Sequence, residues 1–193
     1  MMNLDTFDEH PPYRLIPSQN LYRIQLARSR PGHRPIGQLR VAPAGARSGR
    51  FCQPDQRVAY FADSPETAGY EAFGRREQEW LSLDYLRRRE VVWAQPGKEL
   101  SLLDLTLHAA EWPVLQATRF AETQALSVQA AAAGYDGLAY HSAQRHGGIC
   151  FALFEPVLPG IRTRSRQRLI EVETGNLHRV VVTVARGARL PLV

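Results

Sequence analysis

Between Val58 and Glu71 the chain changes its backbone period within a few residues, and that change limits the folds open to it. Val58-Ala59-Tyr60-Phe61 is an apolar run of strand length. Ser64 then stands where a helix cap is wanted, with Pro65 at the first helical position and Glu66 in the first turn. A strand that feeds directly into a capped helix points to a mixed architecture rather than an all-helical or all-strand one. The spacing predicts a helix that runs to about Trp80. Pro65, Ala68, Gly69, Ala72 and Phe73 form its apolar stripe, and Glu71 lies beside that stripe.

The rest of the chain reads as further short strands with one more strong helix. Leu21 to Leu26 alternates and predicts a strand. So do Leu86 to Ala94, which ends in Val91-Val92-Trp93, and Leu100 to Leu105. Ala121 to Ala133 predicts a helix, because alanine costs least in a helix interior, with Gly134 as its C-cap. Gly137 to His141 and Ile149 to Phe154 read as a strand pair joined by the polar turn Ala143 to Gly148. Beyond Pro159, Leu169 to Val172 and Val180 to Val184 read as β-rich runs. Pro11, Pro12 and Pro17 discourage regular structure in residues 1–19, which read as an arm. Residues 29–49, with Pro31, Gly32, Pro35, Gly37, Pro43, Gly45 and Gly49, read as a long loop, a place where function often sits. The sum is an α+β fold of many short strands and two or three helices. Residues 20–156 form the main unit, and 157–193 form a β-rich extension packed on the same domain.

Composition removes several classes. A chain of 193 residues with 44% apolar and 22% charged residues buries a core and is neither disordered nor fibrous. No apolar stretch approaches the roughly 18 residues of a transmembrane helix. Met1 to Pro12 carries Asp5, Asp8 and Glu9 and has no apolar core, so no secretory signal is expected and the expected compartment is the cytoplasm. The two cysteines, Cys52 and Cys150, have no metal spacing and read as reduced thiols. His33, His108 and His178 show none either, so no metal is expected. The net charge is +5 and the pI about 9.6, with Lys98 the only lysine. Two denser arginine spots stand out, Arg87 to Arg89 and Arg162 to Arg168. Such a surplus suits a solvated basic surface, an anionic ligand or an acidic partner. It also leaves open a non-enzymatic nucleic-acid-binding module, although no helix-turn-helix or zinc-finger pattern accompanies it.

Three side chains in separate segments carry chemistry. Arg23, in Leu21-Tyr22-Arg23-Ile24, offers a guanidinium that can clamp phosphate with two parallel bonds. Glu71 offers a carboxylate. Ser142, after Gly134-Tyr135-Asp136-Gly137-Leu138-Ala139-Tyr140-His141, offers a hydroxyl at the head of a polar turn. A cation, an anion and a hydroxyl suit a site that holds a phosphorylated sugar while its glycosidic bond breaks. Ser142 lacks the Gly-x-Ser-x-Gly frame of a hydrolase nucleophile. Cys150 lies inside an apolar run, where burial makes a thiol inert.

In four blocks, taken in order, the chain resembles the RES domain family, the toxins of RES–Xre toxin–antitoxin pairs. They are Leu21 to Ile24, then Gly49-Arg50-Phe51, then the strand, helix start and glutamate of Val58 to Glu71, and last Thr123-Gln124 followed by Gly134 to Phe154. Phe51 and Cys52 stand where the family commonly has tryptophan and asparagine, and Cys150 stands at about the place of another asparagine. The resemblance implies two small packed β-sheets with flanking helices, similar to the ADP-ribosyltransferase fold. It implies an enzyme that degrades NAD by cleaving nicotinamide from ribose, with NAD as substrate and no further cofactor. The acceptor stays open between water, phosphate and a protein target; with a protein target the chain would be an ADP-ribosyltransferase. The resemblance implies Arg23, Glu71 and Ser142 as catalytic residues. Tyr22, Tyr60, Arg50, Gln124 and Arg145 would bind substrate. It also implies an Xre-type antitoxin as partner, allows a homodimer within that complex, and leaves DNA to be reached only through the antitoxin, with no membrane involved.

Overall fold

The structure is a computed structural model and describes residues 4–7, 10–30, 34–46, 48–74, 78–116 and 120–193. Eight strands form one sheet: β1 (Tyr13–Leu15), β2 (Leu21–Leu26), β3 (Val58–Ala62), β4 (Arg89–Pro96), β5 (Leu100–Asp104), β6 (Gly137–His141), β7 (Ile149–Phe154) and β8 (Ile161–Arg168). Their spatial order is β1-β5-β6-β7-β3-β2-β4-β8. All neighbours are antiparallel except β5 and β6.

The expectation of two packed sheets is corrected to one sheet, and the joint shows why the two are close. β2 and β3 share a single pair, Tyr22 with Ala62, whereas β2 pairs with β4 over six residues and β3 with β7 over five. That pair fuses a five-stranded half to a three-stranded half.

Among the described residues four α-helices accompany the sheet: α1 (Pro65–Phe73), α2 (Leu83–Arg87), α3 (Phe120–Ala132) and α4 (Arg179–Gly187). The Ser64 hydroxyl accepts the Thr67 N–H at 3.1 Å, as a cap should. The helix stops at Phe73, short of Trp80, because Gly74 follows and its N–H closes on the Tyr70 carbonyl at 2.7 Å. Residues 75–77 lie outside the described residues. α3 is followed by Gly134 at φ +89, the left-handed step expected there.

Several sequence expectations fail for identifiable reasons. Val180 to Val184, read as β-rich, is helical. Val180, Val181, Val184 and Ala185 fall on one helical face, and all four are buried. Gly69 of α1 lets α4 come close, since a methyl there would stand 2.8 Å from Val180 Cγ2 and Val184 Cγ2. The strand of the C-terminal segment is instead the arginine-rich Ile161–Arg168. The strand expected from Leu86 begins at Arg89, after the short helix α2. The N-terminal arm contributes β1, which pairs with β5 between its prolines.

The two faces of the sheet carry different cores. One face holds Leu21, Phe61, Val92, Phe151 and Leu153, covered by Ile36, Leu39 and Val41 of the long loop. The other holds Val58, Ala62, Leu138, Tyr140, Cys150 and Ala152 with Phe51 and Leu126. A third cluster lies under α1 and α4. Among the described residues no helix is long and apolar enough to cross a membrane.

Candidate functional site

Glu71 and Ser142, which are 71 residues apart, meet directly. The Ser142 hydroxyl donates to Glu71 Oε1 at 2.6 Å, and the Ala143 N–H donates to the same oxygen at 3.0 Å. Two elements create this corner. α1 carries Glu71 at the end of its second turn, and the β6–β7 turn carries Ser142 at its head. The Ser142 oxygen in turn accepts the Gln144 and Arg145 N–H groups, at 3.2 and 3.0 Å, which fixes the turn. Gly148 lets the turn lie against α1, since a methyl there would stand 2.8 Å from Thr67 Cγ2. Both bonds fall on Oε1. Among the described residues no donor reaches Oε2, so the carboxylate is oriented on one side and available on the other.

Arg145 belongs to the same corner. Its Nη1 donates to Ser64 Oγ at 2.7 Å and to Thr67 Oγ1 at 2.8 Å, the two hydroxyls at the start of α1. A guanidinium beside a helix N-terminus adds positive charge to the positive end of the helix dipole. Such a pairing favours an anion in front of both.

Arg50, Tyr60, Gln124 and Tyr140 form the neighbouring wall. The Tyr60 hydroxyl accepts the Phe51 N–H at 2.9 Å and lies 3.6 Å from Cys52 Sγ. Gln124 Nε2 donates to the Gly49 carbonyl at 2.9 Å, and the Thr123 hydroxyl to the Arg50 carbonyl at 2.6 Å. These bonds pin the Gly49-Arg50-Phe51 loop to α3 and β3. Arg50 thereby sits 5.8 Å from the Tyr140 ring centre. Phe51 is fully buried against Tyr140, with ring centres 4.8 Å apart, so it anchors the loop rather than offering a face to a ligand. Burial, with the Cys52 thiol nearby, pushes the Tyr60 phenol well above its usual range. Burial does the same to Tyr140, helped by Cys150 and the Glu71 carboxylate. Cys150 is likewise pushed up, by burial first and then by Glu71 and Asp63, which makes it a poor nucleophile.

The structure does not bring Arg23 into this group. Successive strand residues point to opposite faces. Tyr22 packs with the cluster of Val58, Ala62 and Tyr140. Arg23 instead lies over Phe61, 5.4 Å from the ring centre, and donates to the Arg40 carbonyl at 3.0 Å. Burial there holds its pKa down at about 10. Of the three side chains expected to converge, the carboxylate and the hydroxyl do so, and the guanidinium beside them is Arg145. Three contributors are not legible as site residues in the sequence: Tyr140, Thr67, and Ser64, which reads there only as a helix cap. Counting back by twos from Ser142 would have put Tyr140 on the same face.

The class this geometry defines is an α+β domain with one mixed sheet, in which a helix-borne carboxylate is oriented by a turn serine beside a guanidinium and a helix N-terminus. The chain belongs to the RES domain family, whose model matches residues 20–177. Its fold is similar to that in the crystal structure of the M. tuberculosis MbcT–MbcA toxin–antitoxin complex. The likeness has a TM-score of 0.56 and 17% identity, covering 81% of this chain and 84% of the other. No curated protein gives a significant match.

Proposed function

We propose that the chain is the toxin of a toxin–antitoxin pair and that it breaks the nicotinamide–ribose bond of NAD at the Glu71–Ser142 corner. The observation that carries this reading is the half-occupied carboxylate. Ser142 and Ala143 hold Oε1, and Oε2 remains for a substrate hydroxyl. In the reaction the bond between the ribose anomeric carbon and the pyridine nitrogen breaks, and its electron pair stays on nitrogen. Nicotinamide leaves neutral, and positive charge develops on the ribose. A fixed carboxylate in a partly buried site stabilises that charge without having to reorganise. Water then adds to the anomeric carbon and releases a proton, giving ADP-ribose; phosphate in its place gives the ribosyl phosphate. Arg145, the start of α1 and Arg50 supply the cationic surroundings that the pyrophosphate requires. Tyr22 and the tyrosine wall lie on the same sheet face and suit the nicotinamide end.

The partner reading rests on the family and on the fold likeness to a toxin solved with its antitoxin. The basic net charge suits an acidic inhibitor segment. The test is incubation of purified chain with NAD labelled in the adenine, with and without bacterial lysate. Free ADP-ribose, or its phosphate when phosphate is present, supports the proposal. Label appearing on lysate protein would replace it with protein ADP-ribosylation at the same corner, and intact NAD would refute both.

A further inference from the structure

One edge of the sheet, β8, offers a second surface, separated by three strands from the β7 that follows the Ser142 turn. β8 is the last strand of the order and pairs only with β4, along Ile161–Arg168. Among the described residues no strand lies against its other side. A row of unpaired backbone groups is a template for strand addition.

The side chains on this edge select what can add. Four of the eight residues of β8 are arginine, and Arg162, Arg164 and Arg166 are exposed. Arg166 is held by Glu90, at 2.9 Å, whereas among the described residues Arg164 meets only the neutral Gln95 oxygen, also at 2.9 Å. Among the described residues neither Arg162 nor Arg168 has an acidic partner. More positive charge crowds the far end of the strand. The Leu169 N–H bonds the Arg89 carbonyl, and the Ala27 N–H bonds that of Arg88. Burial first, and then the charges of Arg30 and Arg88, hold Arg89 below its ordinary value against the pull of Tyr85. At the near end, where β8 begins, a hollow of about 410 Å3 is lined by Leu100, Pro156, Val157, Pro159 and Ile161, with Lys98 and Arg162 beside them.

Arginines facing arginines would repel a second copy of this chain. An extended acidic segment meets the opposite situation, since it gains main-chain bonds and charge attraction together. A polynucleotide could use the charge but not the backbone row. We propose that the β8 edge takes an extended acidic segment of a partner protein by strand addition, with one apolar side chain of that segment seated in the hollow at its start. This goes beyond the NAD reading and does not depend on it.

The probe is a fluorescent peptide that alternates glutamate and valine and closes on leucine, titrated against the full chain by anisotropy at low salt. Its counterparts are the same peptide with alternate amides N-methylated, and a single-stranded oligothymidylate. The unmodified peptide should bind, and N-methylation should weaken it about tenfold or more by blocking main-chain bonds. Reversing charge with Arg162→Glu plus Arg164→Glu should weaken it by roughly tenfold or more, with the melting temperature unchanged. If that pair of changes disturbs the fold, Arg162→Gln plus Arg164→Gln gives the same reading with a smaller loss. Equal binding of the methylated peptide, tighter binding of the oligothymidylate, or no binding of the acidic peptide would each overturn the proposal.

Discussion

Glu71→Gln isolates the charge of the carboxylate from its place in the fold. The glutamine carbonyl oxygen can accept both bonds that Oε1 now holds, from the Ser142 hydroxyl at 2.6 Å and the Ala143 N–H at 3.0 Å. The β6–β7 turn therefore keeps its anchor, and the melting temperature should move by no more than about 2 °C. What disappears is the negative charge that the proposed reaction sets against the ribose. Preorganised groups of this kind contribute roughly 3–4 kcal/mol to the transition state. At about 1.4 kcal/mol for each factor of ten, the rate should fall a few hundredfold. The assay is nicotinamide release under saturating NAD, followed by chromatography, with a melting curve on the same sample. A folded glutamine variant that keeps more than about a tenth of the rate would refute this reasoning.

Other outcomes follow from the same geometry. Ser142→Ala removes one donor to Glu71 and the acceptor of two turn N–H groups, so it should cost about 1–3 kcal/mol in urea unfolding and slow nicotinamide release less than Glu71→Gln does. Release as slow as in the glutamine variant would give the hydroxyl a larger part than the geometry allows. Gly137→Ala would drive a methyl into the Ala152 carbonyl oxygen within the β6–β7 ladder, so the urea midpoint should drop by the equivalent of about 2 kcal/mol or more; an unchanged midpoint contradicts the register. Cys150 holds its proton to higher pH in the folded chain than in the unfolded one. Its contribution to stability is present below about pH 9 and is lost as pH rises above that. In native protein at pH 8, mass spectrometry after a short thiol-reagent pulse should find Cys52 modified and Cys150 spared, and equal labelling would contradict the buried placement.

The parts of the fold that were legible in the sequence are those where local signals agree. Ser64, Pro65 and Glu66 mark the start of α1, alternation marks β2, and short apolar runs on either side of a polar turn mark β6 and β7, because caps, strand periods and turns are short-range. The misreadings come from tertiary context. Valine prefers strands, yet Val180 to Val184 winds into α4 because its apolar face fits against Gly69. The arginines of β8 hide a strand whose apolar content is nearly nil, since pairing with β4 rather than burial holds it in place. Glu71 and Ser142 could be singled out, but nothing local says that one hydrogen bond joins them. Arg23 shows the converse. Its position in β2 was readable, whereas the face it occupies depends on the register with β3 and on the cover supplied by Ile36, Leu39 and Val41.

The decisive measurement is a crystal structure of the chain with a carbocyclic NAD analogue, whose ribose cannot ionise and which therefore stays whole. The ribose hydroxyls should lie within hydrogen-bonding reach of Glu71 Oε2, with the pyrophosphate toward Arg145 and the first turn of α1. An analogue seated on the other side of the sheet, against Arg23 and Phe61, would contradict the assignment of this corner as the place where NAD is broken.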